Sequence, residues 1–339
     1  MVNTMRPEDL YQATKINNHI KEYVRNNLPF PETLCFMEDD VIQVINNVSS
    51  GRERAYLMSL SAELSNLNNR VIDLLGIVIE MQVIAAYVKD DILDNNYKRN
   101  NQPTVNWKYN SKVATIYSDL FLNASYLALD DIRKLTTEIQ YEDLVLKINE
   151  SYQYICLGQI ETACFNYSNS NLFSSIYSLY ERLVGIAYGN YCSMLISHDD
   201  ILKEQLFLFG KNIGIALQVK NDISDFIIDP LASGIPAYQD LLQNQPNIVM
   251  AYLLKCRDDF SQNELKLLNE LLSHDYKINE LGEMDETLIL NMLDKSNAIS
   301  KSIDLLYNLL SDSISHLSFI KEVKIRKRYT EFLETLIYE

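Results

Sequence analysis

Val83-Ile84-Ala85-Ala86-Tyr87-Val88-Lys89-Asp90-Asp91-Ile92-Leu93-Asp94 is an apolar run that ends in three carboxylates. A second apolar run, Ile213 to Val219, ends about 130 residues later in Asn221-Asp222-Ile223-Ser224-Asp225 and runs on to Asp229. On an α-helix, residues i and i+4 share a face. Asp90 and Asp94 therefore point the same way, and Asn221, Asp225 and Asp229 form a three-step oxygen stripe. The apolar flanks place both helices in an interior, so the carboxylates look into it. Two carboxylates about 6 Å apart repel by roughly 3 kcal/mol at an effective dielectric of 20, which calls for a counter-charge. Hard oxygen donors with room for water suit Mg²⁺ coupled to a phosphate-bearing substrate.

The rest of the chain is compatible with such helices. Its 339 residues are 47% hydrophobic and include only 9 glycines and 7 prolines. Long apolar-periodic stretches with few turn formers predict an all-α protein. Helices are expected near residue 7, then over 52–69, 71–97, 110–134, 139–168, 172–195, 201–228, 246–256, 262–272, 286–311 and 315–337, with breaks at Gln102-Pro103-Thr104 and Pro230 to Pro236. Strand-like alternation is absent, and residues 1–339 read as a single domain.

A net charge of −16 argues against nucleic acid as a partner, because phosphate backbones need a concentrated basic face. Five scattered cysteines and four dispersed histidines show no zinc spacing. With no apolar signal core and no run approaching 18 residues free of charge, a cytoplasmic protein without an integral membrane segment is expected. Glu38-Asp39-Asp40 has no matching context and reads as surface.

Around the two clusters the chain resembles the trans-isoprenyl diphosphate synthase superfamily. Glu80 precedes Asp90 by ten residues, and Arg99 and Pro103-Thr104 follow in the register of that family's DDxxDxxxxRRGxPT block. Gly158-Gln159 is similar to the start of its GQxxD, with Glu161 one position early. Gly214 and Gln218 precede Asn221-Asp222 at the spacing of GxxxQxxDDxxD, and Gly234 and Asp240-Leu241 echo the segment beyond. The resemblance implies an antiparallel helix bundle around a deep apolar cavity, the isoprenoid synthase fold. It implies three Mg²⁺ ions that bridge the two acidic helices to an allylic prenyl diphosphate, and a homodimer. By the same carry-over Asp90 and Asp94 bind metal with support from Asp91; Asn221, Asp222, Asp225 and Asp229 hold the further metal; Arg99, Arg182 and Gln218 contact diphosphate.

The departures from the family pattern concern its second diphosphate, that of isopentenyl diphosphate. The GGKRxRP loop is replaced by Ser49-Ser50-Gly51-Arg52-Glu53-Arg54, which aligned on Gly51 keeps Arg52 and leaves Arg54 out of register. Asn100 stands at the second arginine of RRG, Ile235 and Gln245 at two lysines, and Arg182 at a third. The Asn221, Asp225, Asp229 spacing resembles the metal triad of class I terpene synthases, and Arg328-Tyr329 resembles their diphosphate-contacting RY pair. The small residues Ala85 and Ala86, with Tyr87 beside them, are expected at the cavity floor and leave room for a C15–C25 substrate. The expectation is a class I terpene synthase that ionises an allylic diphosphate and lets the cation cyclise or be quenched. Three alternatives stand beside it: a prenyltransferase with another acceptor, such as the pheromone-modifying members of the superfamily; a chain-elongating synthase rescued by Arg52 and Arg54; and a non-catalytic partner subunit.

Overall fold

The structure is a computed structural model. It describes residues 7–28, 30–32, 36–48, 52–65, 67–100, 102–168, 171–227, 238–272 and 282–338. In chain order these form α1 (Pro7–Asn27), α2 (Phe36–Val48), α3 (Glu53–Ala62), α4 (Asn69–Leu93), α5 (Val105–Lys108), α6 (Ser111–Arg133), α7 (Glu138–Ala163), α8 (Leu172–Tyr180), α9 (Ile186–Ser193) and α10 (Asp200–Ile227). Then come α11 (Gln239–Leu242), α12 (Ile248–Leu254), α13 (Gln262–Leu272), α14 (Glu283–Ser296), α15 (Ala298–His316) and α16 (Val323–Tyr338). The all-α class is as the periodicity predicts.

Helix starts follow local chemistry. Asn68, Thr104 and Asn110 accept backbone N–H groups at the starts of α4, α5 and α6. Thr137 and Gln140 form a reciprocal capping box on α7. Over an 18-residue window α4 reaches a mean hydropathy of 2.0, enough by length and composition to cross a membrane, yet 83% of that window is buried. It is a core helix, packed chiefly on α6 and α3.

Four features depart from the sequence expectation. The stretch 172–195 is not one α-helix: Glu181–Gly185 between α8 and α9 is a π-turn, a widened turn that often marks functional positions. It lies hard against α7, where a Cβ on Gly158 would sit 2.6 Å from the Leu183 Cα. The stretch 286–311 divides at Asn297, whose left-handed φ of 52° ends α14. A two-residue ribbon, β1 (Lys98–Arg99) on β2 (Gln102–Pro103), forms where no strand was expected. Asp40 is not surface either; it is buried and bound by Lys108 and Tyr109.

Ser261 and Glu264 start α13 with mutual bonds, Ser261 N–H to Glu264 Oε2 at 2.6 Å and Glu264 N–H to Ser261 Oγ at 3.4 Å, and Lys295 closes on Glu264 at 2.7 Å. Burial pushes the Glu264 carboxyl up, but Lys295 and Ser261 pull it below its ordinary value of 4.5. Glu264→Ala is expected to cost about 2 kcal/mol. A lowered pKa stabilises the fold above the unfolded value and loses that contribution as pH falls through the folded one. The gap in melting temperature between wild type and variant should therefore narrow below about pH 4.5; a gap that widens there refutes the assignment.

Candidate active site

A cavity of about 450 Å³ opens between α4, α7, α9 and α10. Its mouth carries Asp90 and Asp94 from α4, Asn221 and Asp225 from α10, and Asp240 and Gln245 from the segment beyond. Its walls are apolar: Val83, Ala86, Ile155, Leu183, Val184 and Ala187. Leu183 and Val184 belong to the π-turn, so that irregular turn shapes the cavity.

The mouth concentrates negative charge. Burial and the repulsion of Asp90 and Asp240 push Asp94 up to about 7. Burial and Asp240 push Asp225 up to about 8, although the backbone N–H groups of Gln239 and Asp240 donate to it at 2.7 and 3.2 Å. Burial raises Asp240 to about 6 against a 2.8 Å bond from Asn247. Burial also raises Asp90, opposed by Arg99. Four carboxylates with the amide oxygens of Asn221 and Gln245 are a hard-oxygen donor set that fits Mg²⁺. Among the described residues no three acidic side chains form a cage for one ion. They face one another across the mouth, a layout for ions shared with substrate phosphates.

Two arginines stand at this mouth. Arg99 donates to Asp91 at 2.8 and 3.1 Å and reaches Asp90 at 3.4 Å. Its guanidinium lies 4.6 Å from the centre of the Tyr87 ring. Arg54 donates to the Tyr87 hydroxyl at 3.3 Å and packs on the Tyr188 ring at 5.0 Å. A second cavity of about 240 Å³ adjoins the first and is lined by Glu53, Arg54, Tyr87, Asn100, Tyr188 and Gln218 among others.

The structure brings together Asp90, Asp94, Arg99, Gln218, Asn221 and Asp225 at one cavity, with Asp91 behind them as the anchor of Arg99. Other sequence expectations fall elsewhere. Asp222 is fully buried and accepts from the Ile248 N–H at 2.6 Å, from Gln218 at 3.2 Å and from Tyr180; it holds α10 to α12 and does not line the mouth. Arg182 is spent on Glu161 through two 2.7 Å bonds. Arg328 pairs with Glu63 in a separate groove, and Tyr329 is buried with its hydroxyl 3.5 Å from Leu57 O. The RY pair is therefore not at this cavity. Of the two alanines only Ala86 lines the cavity; Ala85 is fully buried, and Ser118 on α6 donates to its carbonyl at 2.8 Å. Tyr87 belongs to the mouth, not the floor. Asp229, Gly234, Ile235 and Ser49-Ser50-Gly51 lie outside the described residues.

The two loop arginines exchange roles. Arg52 has 1% exposure and a left-handed φ of 51°, and it turns inward to Glu80 at 3.0 Å. Arg54, two residues on, is the one that reaches the cavity. Sequence reasoning also missed three mouth contacts. Asp240 was noted only as an echo, and Gln245 only as a lost lysine; Gln245 donates to Asp94 at 2.8 Å. Gln159 donates to Ala86 O at 2.9 Å and fixes α7 against α4. Its place after Gly158 was the available signal.

The described residues form an all-helical bundle with an acid-lined mouth over an apolar cavity, and comparison with known proteins shows the family to which it belongs. Residues 39–284 match the model of the polyprenyl synthetase family. The chain belongs to that family. It is 23% identical over 253 residues to the heptaprenyl diphosphate synthase component 2 of Bacillus subtilis, covering 74% of this chain and 69% of that protein. It is 26% identical over 267 residues to a prenyl transferase of Synechocystis, covering 77% and 76%. The fold matches a geranylgeranyl pyrophosphate synthetase from Pyrococcus horikoshii with a TM-score of 0.83, 16% identity and 98% of each chain covered. It also matches a geranylgeranyl pyrophosphate synthase from Corynebacterium glutamicum, solved with isoprenyl diphosphate and magnesium, with a TM-score of 0.83, 14% identity, 98% of this chain and 99% of that one. The fold is thus the all-α isoprenyl synthase fold.

Proposed function

We propose that this chain is a Mg²⁺-dependent prenyltransferase that ionises an allylic prenyl diphosphate and passes the prenyl group to an acceptor. The observation that carries this reading is the ring formed by Asp90, Asp94, Asp225 and Asp240 directly above an apolar cavity. Bound Mg²⁺, three ions by the family resemblance, supplies the charge that lets a diphosphate leave. Asp90, Asp94, Asn221 and Asp225 hold the ions, and Arg99, fixed by Asp91, faces the diphosphate. Val83, Ala86, Ile155 and Ala187 shelter the tail and the allylic cation from water. The faces of Tyr87 and Tyr188 stand beside that path.

Prenyl transfer takes precedence over terpene cyclisation. Relatives bear the names of prenyl diphosphate synthases and transferases, and the RY pair that suggested cyclisation lies away from the cavity. Relatives' names favour isopentenyl diphosphate as acceptor, with Arg54 as the cation to meet it. A second reading, an acceptor without a diphosphate, is favoured by the neighbouring cavity, where Glu53 accompanies Arg54 and Asn100 replaces an arginine. A non-catalytic partner role is disfavoured by the cost of keeping the acid ring. Incubation with Mg²⁺ and geranyl, farnesyl or geranylgeranyl diphosphate, with and without isopentenyl diphosphate, tests all of these. Longer diphosphates made only with isopentenyl diphosphate support elongation. A hydrocarbon or alcohol formed without it restores the cyclase reading, and no diphosphate release with any acceptor refutes the prenyltransferase.

Residues 1–339 are taken to act as one cytoplasmic unit. Both apolar clusters contribute to the same cavity, Ile155 and Ala187 from one, Tyr180 and Tyr188 from the other. A homodimer through α6 and α7 is supported by exposed Ile116, Tyr126, Ile139, Leu146 and Ile160 on these two helices. Light scattering of the purified protein checks it, and a monomeric mass at micromolar concentration excludes it.

A further inference from the structure

The chain between Asp94 and Trp107 forms part of the rim of the cavity mouth. Asp94 and Arg99 from this stretch line the cavity. Asn96 ties the rim down: its carbonyl accepts from Thr104 Oγ1 at 2.7 Å, and its side chain accepts from Gln239 at 3.1 Å. In an extended ribbon successive side chains point to opposite faces. Arg99 takes the cavity side, and Lys98 before it is exposed. Tyr97 and Trp107 are exposed with it, packed edge to face with ring centres 5.9 Å apart.

This outer side of the rim combines two properties. The first is apolar exposure: Trp107, the single tryptophan of the chain, is 68% exposed, Tyr97 48%, and Leu93 on the last turn of α4 53%. The second is charge. The chain carries 46 acidic and 30 basic residues, yet none of the acids falls between Asn95 and Ser118, a stretch that holds Lys98, Arg99, Lys108 and Lys112. Asp91 holds Arg99 and Asp40 holds Lys108. Lys98 and Lys112 are exposed and pair with no carboxylate among the described residues.

We propose that Tyr97, Trp107, Lys98 and Lys112 form a docking surface for an anionic lipid bilayer, which holds the cavity mouth at the membrane surface. Amphipathic aromatic rings settle at the level of lipid headgroups. Lysines near an anionic leaflet add an attraction that fades within a Debye length. The same leaflet repels the rest of a chain whose net charge is −16, so this stretch fixes the orientation of the docked protein. A prenyl diphosphate is itself an amphiphile, and a mouth held at the bilayer exchanges it without carrying the tail through water. That use of the surface rests on the prenyltransferase reading; the docking rests on exposure and charge.

The test mixes the full chain, at low ionic strength and without Mg²⁺ or substrate, with vesicles of phosphatidylcholine alone or with added phosphatidylglycerol. Co-sedimentation reads binding, and Trp107 emission reads the face that binds. The protein should sediment with the anionic vesicles only, its emission should move to shorter wavelength, and added salt should release it. Lys98→Glu with Lys112→Glu should weaken binding at least about tenfold, and Trp107→Ala should weaken it as well. Both variants should release diphosphate from geranyl diphosphate at the wild-type rate. Absence of sedimentation with either vesicle overturns the proposal. Sedimentation with unchanged emission places the membrane on another face and overturns it too. Emission that shifts with protein concentration in the absence of lipid shows that a second copy covers the patch, which equally overturns it. Docking that persists while no donor releases diphosphate overturns the prenyltransferase reading and leaves the docking surface standing.

Discussion

Asp90→Asn should lower diphosphate release by at least about a thousandfold, which is roughly 4 kcal/mol of transition-state stabilisation, without unfolding the protein. The substitution keeps shape and removes one charge from the mouth. It leaves Arg99 bound to Asp91 at 2.8 Å, so the arginine should keep its place. Asp225→Asn should act in the same way from the opposite helix. Melting temperature should hold or rise in Asp90→Asn, because like-charged neighbours no longer repel that carboxylate, whereas Asp225→Asn should lose some stability, since both its oxygens accept backbone N–H groups and an amide offers only one acceptor. Asp222→Asn provides the contrast. That side chain accepts the Ile248 N–H at 2.6 Å in a fully buried position, so its loss should appear first as lowered stability. Steady-state diphosphate release together with thermal melts distinguishes the cases. Near-normal release from Asp90→Asn would remove the metal role from α4.

Asn100→Arg combined with Glu53→Gln should lower the KM for isopentenyl diphosphate at least tenfold if the second cavity receives that acceptor. The pair changes the local charge by two units beside Arg54. A new charge-assisted hydrogen bond contributes about 1.5–3 kcal/mol, or roughly tenfold to a hundredfold in affinity. Asn100 has a left-handed φ of 48°, so arginine there costs about 1–2 kcal/mol of stability. That cost falls on the fold equally with and without acceptor, so it leaves the KM comparison intact. An unchanged KM, with elongation still weak, would establish that the acceptor entering this cavity carries no diphosphate.

The helices and the two acid blocks were legible because their signals are local. Period, caps and i,i+4 spacing are properties of a few neighbouring residues. Thus Asp90, Asp94, Asn221 and Asp225 could be assigned to one mouth, and all four line it. The failures share a different origin. Arg182 looked available because nothing in the sequence shows that Glu161, 21 residues before it, comes within 2.7 Å. Arg328-Tyr329 matched a dipeptide, but its partners Glu63 and Leu57 lie on α3 and in the turn after it. Asp240 was under-read because its importance depends on facing Asp94 and Asp225 across a gap.

The loop arginines show where local reading ends. Alignment on Gly51 favours Arg52 as the surviving cation, yet its backbone turns left-handed at the start of α3 and delivers the guanidinium to Glu80, inside the core. A buried carboxylate must be paired, and that requirement captures Arg52 and leaves Arg54 to the cavity. Sequence by itself determined the all-α class, the two acidic helix ends and the hard-oxygen chemistry, because each follows from residue type and spacing along one helix. Only the tertiary structure decided which cations line the cavity and which alanine forms its wall. Those outcomes depend on which side chains from distant helices neutralise one another first, and no spacing along the chain encodes that.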